Sequence, residues 1–110
     1  MPDIKEILDE IGLPYAYKYF KQYKNKALPD PPYIIWYADN EKYFGSDFEN
    51  LLRGRNITLE FYSGTKDEKT ESKIEKALNS IEFEKWEEYN DTEKLFIISY
   101  EFYLVTKLED

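Results

Sequence analysis

The chain has 110 residues, with 11 Tyr, 7 Phe and 2 Trp among them and neither His nor Cys. That length suits one domain with one core, and the missing residue types remove the commonest general base, the thiol nucleophile, thiolate zinc sites and disulfides. With 23 acidic against 15 basic residues the formal charge is −8, the reverse of the balance that phosphate neutralisation requires, which argues against direct recognition of DNA or RNA.

The opening residues, MPDIKEILDE, are charged and amphipathic. They lack the apolar run of an export signal, and no later segment approaches the roughly 20 apolar residues of a membrane span. A soluble protein that is not exported by that route is expected. Ile4, Ile7, Leu8 and Ile11 fall at i, i+3, i+4 and i+7, which predicts a short helix from Asp3 to Ile11 with one buried stripe. Asp3 with Glu6 reads as its capping start, Gly12 as a left-handed stop and Pro14 as the barrier to continuation.

Tyr15, Tyr17 and Tyr19 alternate with Ala16, Lys18 and Phe20, predicting a strand through Phe20. The prolines at 29, 31 and 32 mark a loop suited to an extended arm. Tyr33 to Ala38 is a β run with apolar side chains on both faces, the pattern of a central strand or of one whose second face meets a partner. Asp39-Asn40 is read as a turn and Glu41 to Phe44 as a short return strand. Ser46 to Gly54 is ambiguous, because Phe48, Leu51 and Leu52 fit helical spacing over one turn only.

Asn56 to Tyr62 alternates cleanly, with Ile57, Leu59 and Phe61 inward. Thr65 with Glu68 predicts the start of a second helix running to about Asn79, its stripe formed by Ile74, Ala77, Leu78 and Ile81. Its first two turns are nearly all charged and are expected in solvent. Glu82 to Tyr89 and Glu93 to Val105 read as a closing hairpin turning at Asn90, Asp91 and Thr92. The last strand carries Phe96, Ile98, Tyr100, Phe102 and Leu104 on one face. The expectation is α+β: a largely antiparallel sheet of four to five strands, order α-β-β-(β)-β-α-β-β, with both helices on one face.

Chemistry-bearing patterns are sparse. No phosphate-binding glycine loop and no calcium-loop pattern occurs, and acids adjacent to one another are expected by chance among 23. Catalytic carboxylates also require a pocket that splits their pKa values, which periodicity does not reveal. No enzymatic role, metal or cofactor is expected. The candidate surface is aromatic: Tyr33, Trp36, Tyr37, Tyr43, Phe44 and Phe48, residue types that dominate interface hot spots. Of these, Trp36 is read more readily as sheet core than as interface. Arg53 and Arg55, the only arginines, are candidates for pairing with acids of another subunit, against the plainer reading of an exposed loop.

Taken in order, several phrases go together. Gly12-Leu13-Pro14 leads into Tyr15-Ala16-Tyr17 and Phe20. Pro31-Pro32-Tyr33-Ile34, Tyr43-Phe44-Gly45-Ser46-Asp47 and Ile57-Thr58-Leu59-Glu60-Phe61-Tyr62 follow, then Lys66-Asp67 opening a helix. Trp86 and Tyr89 precede a long strand through Tyr100-Glu101-Phe102. The chain in this respect resembles small proteins of the morphogenesis modules of long-tailed bacteriophages and of prophages of Gram-positive bacteria, described as minor structural, head–tail joining or tail-completion proteins. The resemblance implies an α+β subunit similar to tail terminators, which assemble as rings, typically hexamers, between tail tube and head connector. It further implies a virion protein assembled in the host cytoplasm, partnered by itself and by tail-tube and connector proteins, with no catalytic residue. The acidic balance fits a channel that DNA passes without sticking, and equally fits plain solubility. The alternative is a monomeric acidic interaction module, of inhibitor or DNA-mimic type, with a basic partner.

Overall fold

Asp3 caps the first helix: its carboxylate accepts the backbone N–H of Glu6 at 2.9 Å, satisfying a donor that the first turn leaves free. In the computed structural model, which describes residues 3–20, 28–45 and 51–108, this helix (α1) spans Ile4–Ile11 and buries Ile4, Ile7, Leu8 and Ile11. Gly12 ends it at φ 83°, in the left-handed region where a Cβ is costly. The remaining elements are β1 (Tyr15–Tyr17), β2 (Tyr33–Phe44), β3 (Leu52–Ser63), α2 (Glu68–Ala77), β4 (Glu84–Asn90) and β5 (Leu95–Lys107). The fold is α+β, with the five strands in one sheet of order β1-β2-β3-β5-β4. Among the described residues no helix is long and apolar enough to cross a membrane.

β3 is the centre. Ile57, Leu59 and Phe61 lie opposite Ala38, Trp36 and Ile34 on β2 and opposite Phe102, Tyr100 and Ile98 on β5. These side chains face α1 and α2 and, with Ile74 and Leu78, make one core. The opposite, outer face carries Tyr33, Ile35, Tyr37, Thr58, Glu60, Tyr62, Ser99 and Glu101, as the register requires.

Four boundaries differ from the sequence reading. β1 stops at Tyr17, short of Phe20, because Lys18 takes φ 68° and the Tyr19 N–H turns back to the Tyr17 carbonyl at 2.8 Å. β1 also runs parallel to β2, so the sheet is mixed. Asp39-Asn40 is a bulge within one continuous β2, not a turn: the register shifts between Asp39 and Lys42, with Asn40 at φ 52°, a conformation asparagine tolerates. The second helix is capped by Asp67, not Thr65. Its carboxylate accepts the Thr70 N–H at 3.1 Å and the Thr70 hydroxyl at 2.6 Å, and its charge suits the positive end of the helix dipole. The 46–50 part of the ambiguous segment lies outside the described residues, and Leu52 to Gly54 belong to β3.

The first turns of α2 are not wholly in solvent. Glu71 is 3% exposed. Lys66 Nζ lies 2.7 Å from its Oε2 and Lys85 Nζ 2.8 Å from its Oε1. Lys85 also reaches Glu75 at 2.7 Å and Lys66 reaches Glu87. The buried Tyr100 hydroxyl donates to Glu75 at 2.9 Å. The network ties α2 to β4 and β5, so the edge strand β4, exposed along its whole length, is held by charge more than by apolar burial.

Candidate interface at the open end of the sheet

Past Ile57 on β3 and Leu104 on β5, the helix-bearing face of the sheet stops being apolar and carries Arg55, Arg53 and Thr106. The β2 bulge brings Tyr43 opposite Arg53 and so onto this same face. Tyr17 meets Trp36 edge-on, with ring centroids 4.7 Å apart, and its hydroxyl donates to the Ala38 carbonyl at 3.3 Å. The Arg55 guanidinium lies 5.8 Å from the Trp36 ring centre, a cation–π distance. Arg53 approaches Glu41 at 3.7 Å, and the Tyr43 hydroxyl donates to the other oxygen of Glu41 at 3.5 Å.

Four of the residues singled out from sequence, Trp36, Tyr43, Arg53 and Arg55, are therefore one cluster. Tyr33, Tyr37 and Phe44 are not part of it, since their register puts them on the outer face. Tyr33 offers almost no surface, being 3% exposed and stacked on Tyr62 at 4.9 Å. Phe48 lies outside the described residues. Arg53 and Arg55 sit on a strand, in place of the exposed loop that was the plainer reading.

Arg55 is the unusual member. It is 9% exposed, yet among the described residues no acid lies within ion-pair distance and no hydrogen bond engages its guanidinium. Burial, then repulsion from Arg53, lowers its pKa, and Glu41 partly offsets this. Arg53 Nε is likewise buried without a partner.

A second feature lies across the sheet. Glu82, Glu84 and Glu101, with Asn56, Phe83, Phe102 and Tyr103, line a cavity of about 370 Å³. Glu84 stands directly opposite Glu101 across β4 and β5, a like-charge pairing that costs stability. No hydrogen bond or ion pair among the described residues engages these three carboxylates. Tyr103 leans over Gly54, where a Cβ would come within 1.9 Å of its hydroxyl oxygen, so the glycine permits the ring to lie flat on the strand.

Burial comes first in raising the pKa of Tyr15, Tyr33, Tyr37, Tyr62 and Tyr100, so these phenols remain protonated donors. Tyr62, for example, donates to Glu60 at 2.8 Å. Among the described residues no group of acids is arranged to hold a metal ion.

Sequence reasoning left Tyr17 evenly balanced between core and interface, and it missed Glu41 and the acidic cavity. The two arginines were singled out in advance, but as part of a loop and not as one face of a strand. The rest depends on the bulge and on the β5–β4 register, which no local pattern encodes. Compared with known families the chain matches no family model, and compared with curated proteins it matches none.

Proposed function

We propose that this chain is a non-enzymatic structural subunit that works by self-association, in the manner of the ring-forming tail-terminator and head–tail joining proteins it resembles. One observation carries the reading: the sheet ends in two unlike open edges. On one side β4 has no outer neighbour among the described residues, and it displays Trp86 and Tyr89, 41% and 48% exposed. On the other, β1 pairs with Ile34 to Trp36, and among the described residues β2 from Tyr37 onward has no strand beside it there, with Tyr43 46% exposed. Unpaired edges template further strands, and exposed Tyr and Trp supply contact area at low entropic cost. Two different edges on one chain suit a head-to-tail contact, which closes into a ring when its rotation permits.

Light scattering coupled to size exclusion, over a concentration series, tests this. The expected result is a species at a multiple of the 13.3 kDa chain mass, formed alone or on adding tail-tube protein. Tyr43→Ala should weaken that assembly while leaving thermal unfolding of the subunit nearly unchanged. A strict monomer at every concentration, indifferent to tail-tube protein, would sink the reading.

A further inference from the structure

A guanidinium taken out of water without a counter-charge is unfavourable, and buried cations are ordinarily paired. Arg55 is 9% exposed with Trp36 against it and, among the described residues, no acid within ion-pair distance, and Arg53 beside it, whose Nε is buried without a hydrogen-bond partner, approaches Glu41 only at 3.7 Å. Two guanidiniums presented together with an exposed Tyr43 on their flank form an incomplete receptor for a carboxylate, whose geometry the arginine fork matches. On the same chain Glu82, Glu84 and Glu101, all exposed, line a cavity, and among the described residues none is paired with a cation. Each cluster lacks what the other holds.

We propose that the Arg53–Arg55 cluster of one copy receives the acidic cavity of a second copy, so that Glu84 or its neighbours complete the coordination of Arg55. This rests on the self-association reading above and names its contact. The occupant follows from charge. Arginine occurs nowhere else in the chain and the formal charge is −8, so the strongest electrostatic complement to the tip of one copy is the acid-rich start of β4 on another. Cross-copy pairing also relieves the Glu84–Glu101 opposition by supplying a cation. Because the two surfaces differ, each copy donates one and accepts with the other, the arrangement that gives a ring or an open filament.

The test is complementation by mixing. Arg55→Glu spoils the tip and leaves the cavity; Glu84→Arg spoils the cavity and leaves the tip. Each variant alone should associate about thirtyfold or more weakly than wild type, the low end for truncating one partner of a desolvated charge pair. An equimolar mixture should recover association, because the intact tip of one meets the intact cavity of the other. Arg55→Met, which keeps bulk against Trp36, guards against misfolding of the charge reversal and should lose association as Arg55→Glu does. Folded variants whose mixture stays dissociated while wild type assembles would overturn the docking and leave self-association standing. Arg55→Met assembling as wild type would do the same, since the partner of Arg55 is then not at the contact. Wild type that never assembles removes both this proposal and the reading beneath it. Arg55-dependent binding of a single-stranded oligonucleotide, in place of self-association, would reassign the tip to phosphate.

Discussion

Two charged clusters lie on the same face of this sheet and are treated oppositely. Around Glu71 the buried carboxylate has a lysine within 3 Å of each oxygen, and Lys85 and Lys66 reach on to Glu75 and Glu87. Arg55 is also largely out of water, but among the described residues no acid lies within ion-pair distance, and Glu41 acts on it only from further away. The first cluster is ion-paired within the chain, although Glu71 Oε2 makes no hydrogen bond; among the described residues Arg55 has no ion pair. The difference separates charge that holds the fold together from charge whose partner lies on another molecule. Low exposure alone does not distinguish the two, because both residues would pass as core.

The largest effect is expected on the ion-paired side. Glu71→Ala leaves Lys66 and Lys85 without their shared acceptor and should cost about 3 kcal/mol, the range for removing one partner of a buried charge cluster, read by urea or thermal unfolding. A loss under about 0.5 kcal/mol would place the network among surface pairs of little worth. The pH dependence sharpens this. Burial pushes the Glu71 pKa up, but Lys66 and Lys85 outweigh it and hold the group below its ordinary 4.5. A depressed acid stabilises the fold above its unfolded value and loses that contribution as pH falls through the folded one. The gap between wild type and Glu71→Gln should therefore be full at neutral pH and narrow below pH 4.5. A gap of constant size down into strong acid would mean that the carboxylate charge is not what matters. Tyr100→Phe comes next, at about 1 kcal/mol, since it removes one hydroxyl donor to Glu75 while keeping the ring in the core.

The same contrast explains what the chain made legible. Ile4, Ile7, Leu8 and Ile11 announce their helix by spacing, and Asp3 and Gly12 announce its ends. Ile57, Leu59 and Phe61 announce the central strand, because alternation is a local property. Glu71 was legible only in hindsight: it lies three residues before Ile74 and seven before Leu78, on the buried stripe, but charge made it look solvated. Tyr43 was legible as a candidate for a surface, but its face was not. Without the extra residue at Asp39 to Lys42, the register would put it opposite Leu52 on the outer face. The bulge shifts it by one and so onto the face of Arg53. The parallel pairing of β1 was equally hidden, since it joins segments separated by a loop and has only three residues to signal it.

The smallest expected change in stability is the one that divides the two clusters most sharply. If Arg55 is an unpaired cation held out of water, replacing it by Met removes a desolvation cost and keeps contact with Trp36 and Leu104, its neighbours across and along the sheet. Swapping a buried charge for an apolar side chain of similar bulk is often neutral or stabilising. Unfolding of dilute Arg55→Met, below the concentration at which wild type associates, should thus show stability equal to wild type or higher by up to about 1 kcal/mol. Glu71→Met should lose stability, because it strands two lysines. If Arg55→Met instead falls by about 3 kcal/mol as the Glu71 variants do, then Arg55 is already paired within its own chain. The described acid that acts on Arg55 is Glu41, and Glu41→Gln should then reproduce the loss. Equal stability with lost assembly is the combination expected of a cation reserved for a second copy.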